Sequence, residues 1–244
     1  MKIEGSTALV TGANRGIGRH LTRSLLDAGA AKVYAGVRDT ASVTDPDVIP
    51  VRLDVTDRAS VEAAAAELSD VTIVINNAGI GTAHPLLDSG VLDAARREME
   101  VNYVGLLSVS QAFAPVLAAN GGGALANVLS VASWIASPNI PTYSASKSAA
   151  WSVTHSLRIA LKAQGTLVSG LHVGFVDTDL TAGLEIDKND PRDVADAMVK
   201  GIAEDSEEIY ADELSRNVKA ALSQDLELLY PGVQATFDAQ AQPA

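Results

Sequence analysis

The 244-residue chain has no cysteine, which excludes disulfides and thiolate chemistry and suits a reducing compartment. Aromatic residues make up only 4%, so a core built from the 47% hydrophobic content must be aliphatic and alanine-rich. Positive charge is scarce: 18 Lys and Arg face 30 Asp and Glu, for a formal net charge of −12. Such a chain repels polyphosphates and anionic bilayers, so neither nucleic acid nor a membrane is an expected partner. No uninterrupted apolar stretch reaches spanning length, and Met1-Lys2-Ile3-Glu4-Gly5 carries no leader-like apolar run. A soluble cytoplasmic protein is the expectation. The four histidines, His20, His84, His155 and His172, show no His-x-x-x-His spacing, and no metal site is expected.

What the chain does have is alternation. Short apolar runs (Ala8–Val10, Val33–Val37, Val48–Leu53, Val71–Ile75, Ala124–Leu129, Leu167–Val173) are separated by amphipathic stretches. Helices are expected from Ile17 to Ala28, Val61 to Leu68, Val91 to Val104, Leu106 to Ala118, Tyr143 to Gln164 and Pro191 to Ala203. Ile209-Tyr210 reads as a short last strand, and Leu214, Val218, Leu222, Leu226 and Leu229 stripe a final helix. This is the pattern of an α/β, Rossmann-like, doubly wound and mostly parallel sheet with helices on both faces. No repeat or linker divides the chain. Residues 1–230 read as one domain and 231–244 as a small, polar, poorly ordered tail.

After the first strand comes Thr11-Gly12-Ala13-Asn14-Arg15-Gly16-Ile17-Gly18. Such a turn, opening a helix, offers backbone N–H groups and a positive dipole end to a phosphate. Gly12, Gly16 and Gly18 allow tight turning and close approach, with Asn14, Arg15 and Ile17 between them. The spacing is Gly-x-x-x-Gly-x-Gly rather than the commoner Gly-x-Gly-x-x-Gly, and its position favours a dinucleotide site. The second strand ends in Gly36-Val37-Arg38-Asp39. Arg38 and Arg15 converging on the adenine ribose would suit a 2′-phosphate, which favours NADP(H) over NAD(H). Asp39 could still partner a free ribose.

Tyr143 and Lys147 stand four positions apart, about one helical turn, so the two side chains can share a face. An ammonium beside a phenol favours the phenolate, and Lys147 is expected to lower the Tyr143 pKa. A Tyr so tuned becomes a usable proton donor or acceptor. Ser130 lies upstream, with twelve residues between it and Tyr143.

Together these residues resemble the short-chain dehydrogenase/reductase family in its simple single-domain form, over roughly residues 5 to 210. The motifs occur in order: Thr11 to Gly18; Asp54-Val55; Asn76-Asn77-Ala78-Gly79; Asn102; Ser130; Tyr143 with Lys147. The resemblance implies hydride transfer between the nicotinamide C4 and a carbonyl or secondary alcohol. Tyr143 would be the acid/base, Ser130 would hold the substrate oxygen, and Lys147 would also reach the nicotinamide ribose. Asp54 would bind the adenine amino group, with Val55 beside it, or else serve as a turn or cap residue. Asn77 would brace the sheet, while Ala78 and Gly79 let the cofactor approach. Asn102 would hold a water linking Lys147 to solvent, or else be a helix-bending polar residue satisfied locally. The family's Pro-Gly after the sixth strand is Val173-Gly174 here, which puts the turn's rigidity in doubt. Val176 through its main chain and Thr178 through its hydroxyl would still meet the cofactor.

For the substrate, residues 132–139, including Trp134, and 80–84 would form pocket walls, and residues 181–190 a short lid. Trp134 reads equally as core filler or as a substrate contact. The resemblance also implies a homodimer or homotetramer through the two long helices, where Ala149, Ala150, Ala160, Val153, Leu157 and Leu161 would permit close packing. A non-catalytic NADP-binding sensor on the same fold is the alternative. Retention of both Tyr143 and Lys147 counts against it.

Overall fold

The computed structural model describes residues 1–223 together with 232, 234 and 235. Its centre is a seven-stranded sheet in the order β3-β2-β1-β4-β5-β6-β7. The strands are β1 (Thr7–Thr11), β2 (Lys32–Val37), β3 (Ile49–Arg52), β4 (Ile73–Asn76), β5 (Ala124–Val128), β6 (Leu167–His172) and β7 (Glu208–Tyr210). Every pairing is parallel, so the sheet is all-parallel rather than mostly so. The strand order reverses between β1 and β4. In such sheets the crevice at the carboxyl ends beside this reversal is where ligands bind.

The helices are α1 (Gly16–Asp27), α2 (Arg58–Glu67), α3 (Val91–Met99), α4 (Leu106–Ala119), α5 (Pro141–Leu161), α6 (Pro191–Ala203) and α7 (Glu213–Ala221). Alternation along the strands sends side chains to opposite faces. Ala8, Val10, Ile73 and Ile75 pack with Leu21 and Leu25 of α1 and Val194, Met198 and Ile202 of α6. Leu9, Val74 and Leu125 pack with Val61 of α2, Phe113 and Leu117 of α4, and Leu157 and Leu161 of α5. The core is aliphatic, with Phe113 its largest fully buried side chain. Of the residues expected at a subunit contact, Ala150, Leu157 and Leu161 are buried in this core, whereas Ala160 faces outward, as does the neighbouring Ile159.

Expected and observed boundaries agree to within a few residues, and the differences have causes. The Asp57 carboxylate accepts from the Ala59 N–H and starts α2 ahead of the apolar stripe. Pro141 occupies the first turn of α5. The two helices expected from Val91 to Ala118 form one continuous helical rod, α3 and α4 joined by a π-helical segment, Glu100–Gly105. That rod, Val91–Ala119, is long and apolar enough to cross a membrane by length and composition. It is not an uninterrupted apolar run, since Asp93, Arg96, Arg97, Glu98, Glu100 and Asn102 fall within it. The rod lies against the sheet, with Val109, Phe113 and Leu117 fully buried, so its apolar face is used by the core. Leu226, Leu229 and the expected tail from Pro231 fall largely outside the described residues.

Candidate active site

The glycine loop stands where the strand order reverses. Gly12 and Gly16 have φ of 64° and 51°, a region that favours glycine. A Cβ on Gly12 would come within 2.9 Å of the Ala78 Cα, and one on Gly18 would collide with the Gly12 carbonyl and the Asn77 amide. The glycines therefore bring the loop flush against the end of β4. Asn77 holds it there, its Nδ2 donating to the carbonyls of Thr11 (2.9 Å) and Gly12 (3.2 Å). The N–H groups of Asn77 and Ala78 both donate to the Thr11 hydroxyl. Helices α2, α6 and α7 begin with Asp57, Asp190 and Asp212, whose side chains cap them. Helix α1 begins after Arg15, with no side-chain cap and no acid in its first turn. Its leading N–H groups, beside Asn14 and Ile17, are left to an external anion.

The charged residues around this cleft are arranged less simply than expected. Arg38 is exposed at the end of β2. Arg15 reaches across to Asp179, with Nη1 2.8 Å from Oδ2. Asp39 accepts from the Ala41 N–H at 3.0 Å and caps the short 3₁₀ turn Thr40–Ser42. Asp54 accepts from both the N–H (3.0 Å) and the hydroxyl (2.8 Å) of Thr56, a turn role. Burial works against its charge, but the bonds from Thr56 outweigh it and lower its pKa. Val55 packs on the long rod: a Cβ on Gly105 would come within 2.9 Å of the Val55 Cγ2. Across the cleft, a Cβ on Gly16 would come within 3.3 Å of the Thr178 Cγ2. The Val176 carbonyl accepts from the Thr181 hydroxyl at 2.5 Å.

Ser130, Tyr143 and Lys147 meet at the carboxyl end of β5. Ser130 caps the 3₁₀ turn Val131–Ser133, its Oγ accepting from the Ala132 N–H at 3.1 Å. Lys147 is buried, and its Nζ donates to the Val128 carbonyl at 2.9 Å while lying 5.8 Å from the centre of the Tyr143 ring. Burial lowers the Lys147 pKa to about 8. Burial also pushes the Tyr143 phenol up to about 12; a hydrogen bond with Ser130 pulls it down and the charge of Glu98 pushes it up. The expected lowering by Lys147 is thus corrected. Desolvation dominates the phenol, and the ammonium is directed at a main-chain carbonyl.

Asn102 lies in the π segment, turned inward and 2% exposed. Its Oδ1 accepts from the Ile80 N–H at 2.8 Å, and its Nδ2 donates to the Ile80 carbonyl (2.8 Å) and the Ser146 hydroxyl (2.9 Å). It joins the loop after β4 directly to α5. A Cβ on Gly79 would come within 3.2 Å of the Asn102 Oδ1 and 3.6 Å of the Lys147 Nζ, so this loop, the rod and α5 converge there. Glu98, one turn earlier, was not expected as a site residue. It is fully buried and accepts from the N–H (2.5 Å) and hydroxyl (2.8 Å) of Thr82. Only its place four residues before Asn102 hinted at this.

Trp134, open between core filler and substrate contact, sits in an aromatic cluster. It stacks on His172 with centroids 3.8 Å apart, meets Trp151 edge-on at 6.4 Å, and has the Lys219 ammonium 5.4 Å from its ring. His172 is fully buried. Its Nδ1 lies 3.3 Å from the Ser130 carbonyl and its Nε2 3.0 Å from Glu208. Glu208 also pairs with Arg158 at 2.6 Å. His172 thus supports Ser130 from behind, a role invisible while it was one polar residue in an apolar strand. The turn that lost its proline is tied by hydrogen bonds: Val131 N–H to the Val173 carbonyl at 3.0 Å, and Gly174 N–H to Asp212 at 2.7 Å.

The protein-family model described as short chain dehydrogenase matches residues 6–189. The chain belongs to the short-chain dehydrogenase/reductase family. This dehydrogenase is similar to a structure of a short chain dehydrogenase from Burkholderia cenocepacia J2315 in complex with NADP. Identity is 38% and the TM-score 0.91, covering 96% of this chain and 99% of that one. It is 32% identical over 195 residues to sorbitol dehydrogenase of Cereibacter sphaeroides, covering 76% of each. The short chain dehydrogenase tazN of Aspergillus terreus is 32% identical over 76% of this chain, but the match spans only 44% of that longer protein.

Proposed function

We propose that this short-chain dehydrogenase is an NADP(H)-dependent oxidoreductase that interconverts a carbonyl and a secondary alcohol, with Tyr143 as general acid/base. The observation that carries this reading is the meeting of Ser130, Tyr143 and Lys147 beside a glycine loop that no larger side chain could form. The residues fit a dinucleotide: Gly12, Gly16, Gly18, Ala78 and Gly79 leave room for close approach, and the uncapped start of α1 suits its pyrophosphate. Asn14, Ile17, Asp54, Val55, Asn77, Val176 and Thr178 line the same cleft in this reading. Arg15 and Arg38 would take a 2′-phosphate. Asp39, the carboxylate best placed for a free ribose, is spent on its own turn, which supports NADP(H) over NAD(H). The presence of NADP in the similar Burkholderia cenocepacia structure agrees.

A nicotinamide cofactor, when bound, supplies or accepts the hydride. Tyr143 stays protonated at neutral pH, because burial raises its pKa, and so is ready to protonate the developing alkoxide. Ser130 donates to the same oxygen and stabilises the charge forming there. Lys147 orients the nicotinamide ribose, and Asn102 fixes the loop and helix that flank both. The exposed Ile159 on α5 and Val104 on the rod support self-association of these helices into a dimer or tetramer. A cytoplasmic location suits a chain without cysteine.

Tyr143→Phe tests the assignment. The expected outcome is a fall in kcat of at least ~10²–10⁴-fold, the range for loss of a general acid, with NADPH affinity almost unchanged. Full activity in this variant, followed by NADPH absorbance with a carbonyl panel, would remove Tyr143 from the mechanism. Binding NADH more tightly than NADPH would overturn the roles of Arg15 and Arg38.

A further inference from the structure

We propose that the site takes an uncharged, apolar carbonyl compound and discriminates against substrates bearing a carboxylate or phosphate. The inference rests on the catalytic reading above and adds the substrate's chemical class to it.

Three segments close around Tyr143. Residues 80–90 pass beside its ring: a Cβ on Gly81 would come within 3.2 Å of the Tyr143 Cδ2 and 3.4 Å of the Leu180 Cδ1. Leu180, in the short 3₁₀ turn Asp179–Thr181, therefore stands next to the phenol. Residues 131–140 form the second wall, joined to the first by the Leu86 N–H donating to the Pro138 carbonyl at 3.0 Å. Residues 175–190 form the third. They are closed at the base by Asp177 N–H to the Asn189 carbonyl (3.0 Å) and Asn189 N–H to the Phe175 carbonyl (2.8 Å).

The apolar side chains of this rim are held out rather than packed away. Leu180 is 52% exposed, and Phe175, Leu184 and Ile186 are exposed to a similar degree on the same short segment. Leu86 and Leu87 stand exposed on the first wall. An apolar substrate would cover this surface.

Charge excludes the other class. The only basic side chains in these segments are His84 and Lys188. Lys188 is nearly buried and paired with Asp177 at 3.7 Å, and His84 lies 3.7 Å from Asp88. Arg15 is held by Asp179, and the Lys147 ammonium is directed at Val128. The same segment carries the exposed carboxylates of Glu185 and Asp187, and Glu98, bonded to Thr82, is buried with an Oε2 that has no hydrogen-bond partner among the described residues. After Lys219 the sequence contains no Lys, Arg or His, so the C-terminal stretch brings no cation wherever it lies. An anionic group entering the site would be desolvated among carboxylates while the cations of these three segments are already paired, and the nearby Lys219 ammonium lies over the Trp134 and Trp151 rings.

The test compares substrates that share a carbon skeleton and differ only in charge: ethyl benzoylformate with benzoylformate, and ethyl levulinate with levulinate, each reduced with NADPH. The expected result is a kcat/KM at least ~30-fold higher for each ester, as like-charge juxtaposition demands, with the gap narrowing as salt is raised. The double variant Glu185→Lys, Asp187→Lys should raise kcat/KM for the acids and narrow the gap further. Equal or better turnover of the free acids, or no gain for them in the double variant, would overturn the inference and leave the catalytic reading intact. Tight NADPH binding without reduction of any ester, acid or simple aldehyde would overturn both.

Discussion

Asn102 is the residue whose single side chain connects most of the site. It makes both bonds available from the Ile80 main chain and one to Ser146, whose hydroxyl in turn donates to the Tyr143 carbonyl at 2.8 Å. The loop beside Tyr143 and the first turn of α5 are thereby held to one another through the π segment. π segments of this kind place a side chain where a regular helix would turn it away. Asn102→Ala removes these bonds and leaves the main-chain groups of Ile80 without their partner. Stability should fall by about 1–3 kcal/mol, the cost of unsatisfied buried groups. The kcat should fall by ~100-fold through misplacement of Tyr143, with NADPH affinity nearly unchanged. Thermal melts and steady-state kinetics on the same preparation separate the two effects. An activity loss no larger than the loss of folded protein would reduce Asn102 to a structural role.

At the level of elements, the glycine loop before α1 and the 3₁₀ turn Asp179–Thr181 face each other across the cleft. Thr178 packs toward Gly16, and Arg15 pairs with Asp179. Both partners are well exposed, so the pair adds little to stability. Its consequence is competition, because a 2′-phosphate on Arg15 must displace Asp179. Asp179→Asn should therefore tighten NADPH binding by ~3-fold, a surface ion pair's share, and leave NADH binding unchanged. Fluorescence titration with both cofactors measures this, and equal changes for the two would disconnect Asp179 from the 2′-phosphate. The elements themselves were legible because short apolar runs and amphipathic stretches alternate with local punctuation: Gly29 after α1, Pro191 opening α6. What escaped was set by distant partners. The expected division between two helices falls at Gly105, inside the π segment, whereas the loop after β4 gives Glu98 and Asn102 buried partners and the rod continues. Trp134 stayed open between core filler and substrate contact because its neighbours, His172, Tyr210 and Lys219, arrive from β6, β7 and α7. The Tyr143–Lys147 spacing was visible, but the depth that raises one pKa and lowers the other belongs only to the folded chain.

For the molecule as a whole, these buried groups make stability a function of pH at both ends of the scale. At the acid end, burial alone would raise the Glu208 carboxyl. Hydrogen bonds from His172 and Arg158 and the charge of Arg158 overcome this and hold it down to about 2. Its contribution is complete above the ordinary value of 4.5 and is lost as pH falls from 4.5 toward 2. At the alkaline end the sign differs. Lys147 is protonated in both states below pH 8, and folding then carries the penalty of burying its charge. Between its folded value of about 8 and the ordinary 10.5, the native state sheds the proton first, so stability rises with pH. That shift corresponds to about 3 kcal/mol. Tyr143 reverses the trend between pH 10 and 12, where the unfolded chain ionises and the buried phenol resists. Lys147→Met isolates the middle window. It removes the bond to Val128 at every pH, a constant offset, but it also removes the titration. Chemical denaturation of both proteins from pH 7 to 10.5 should show wild-type stability rising against the variant by up to about 3 kcal/mol. Parallel curves would mean that Lys147 is not the desolvated ammonium on which the site's electrostatics depend.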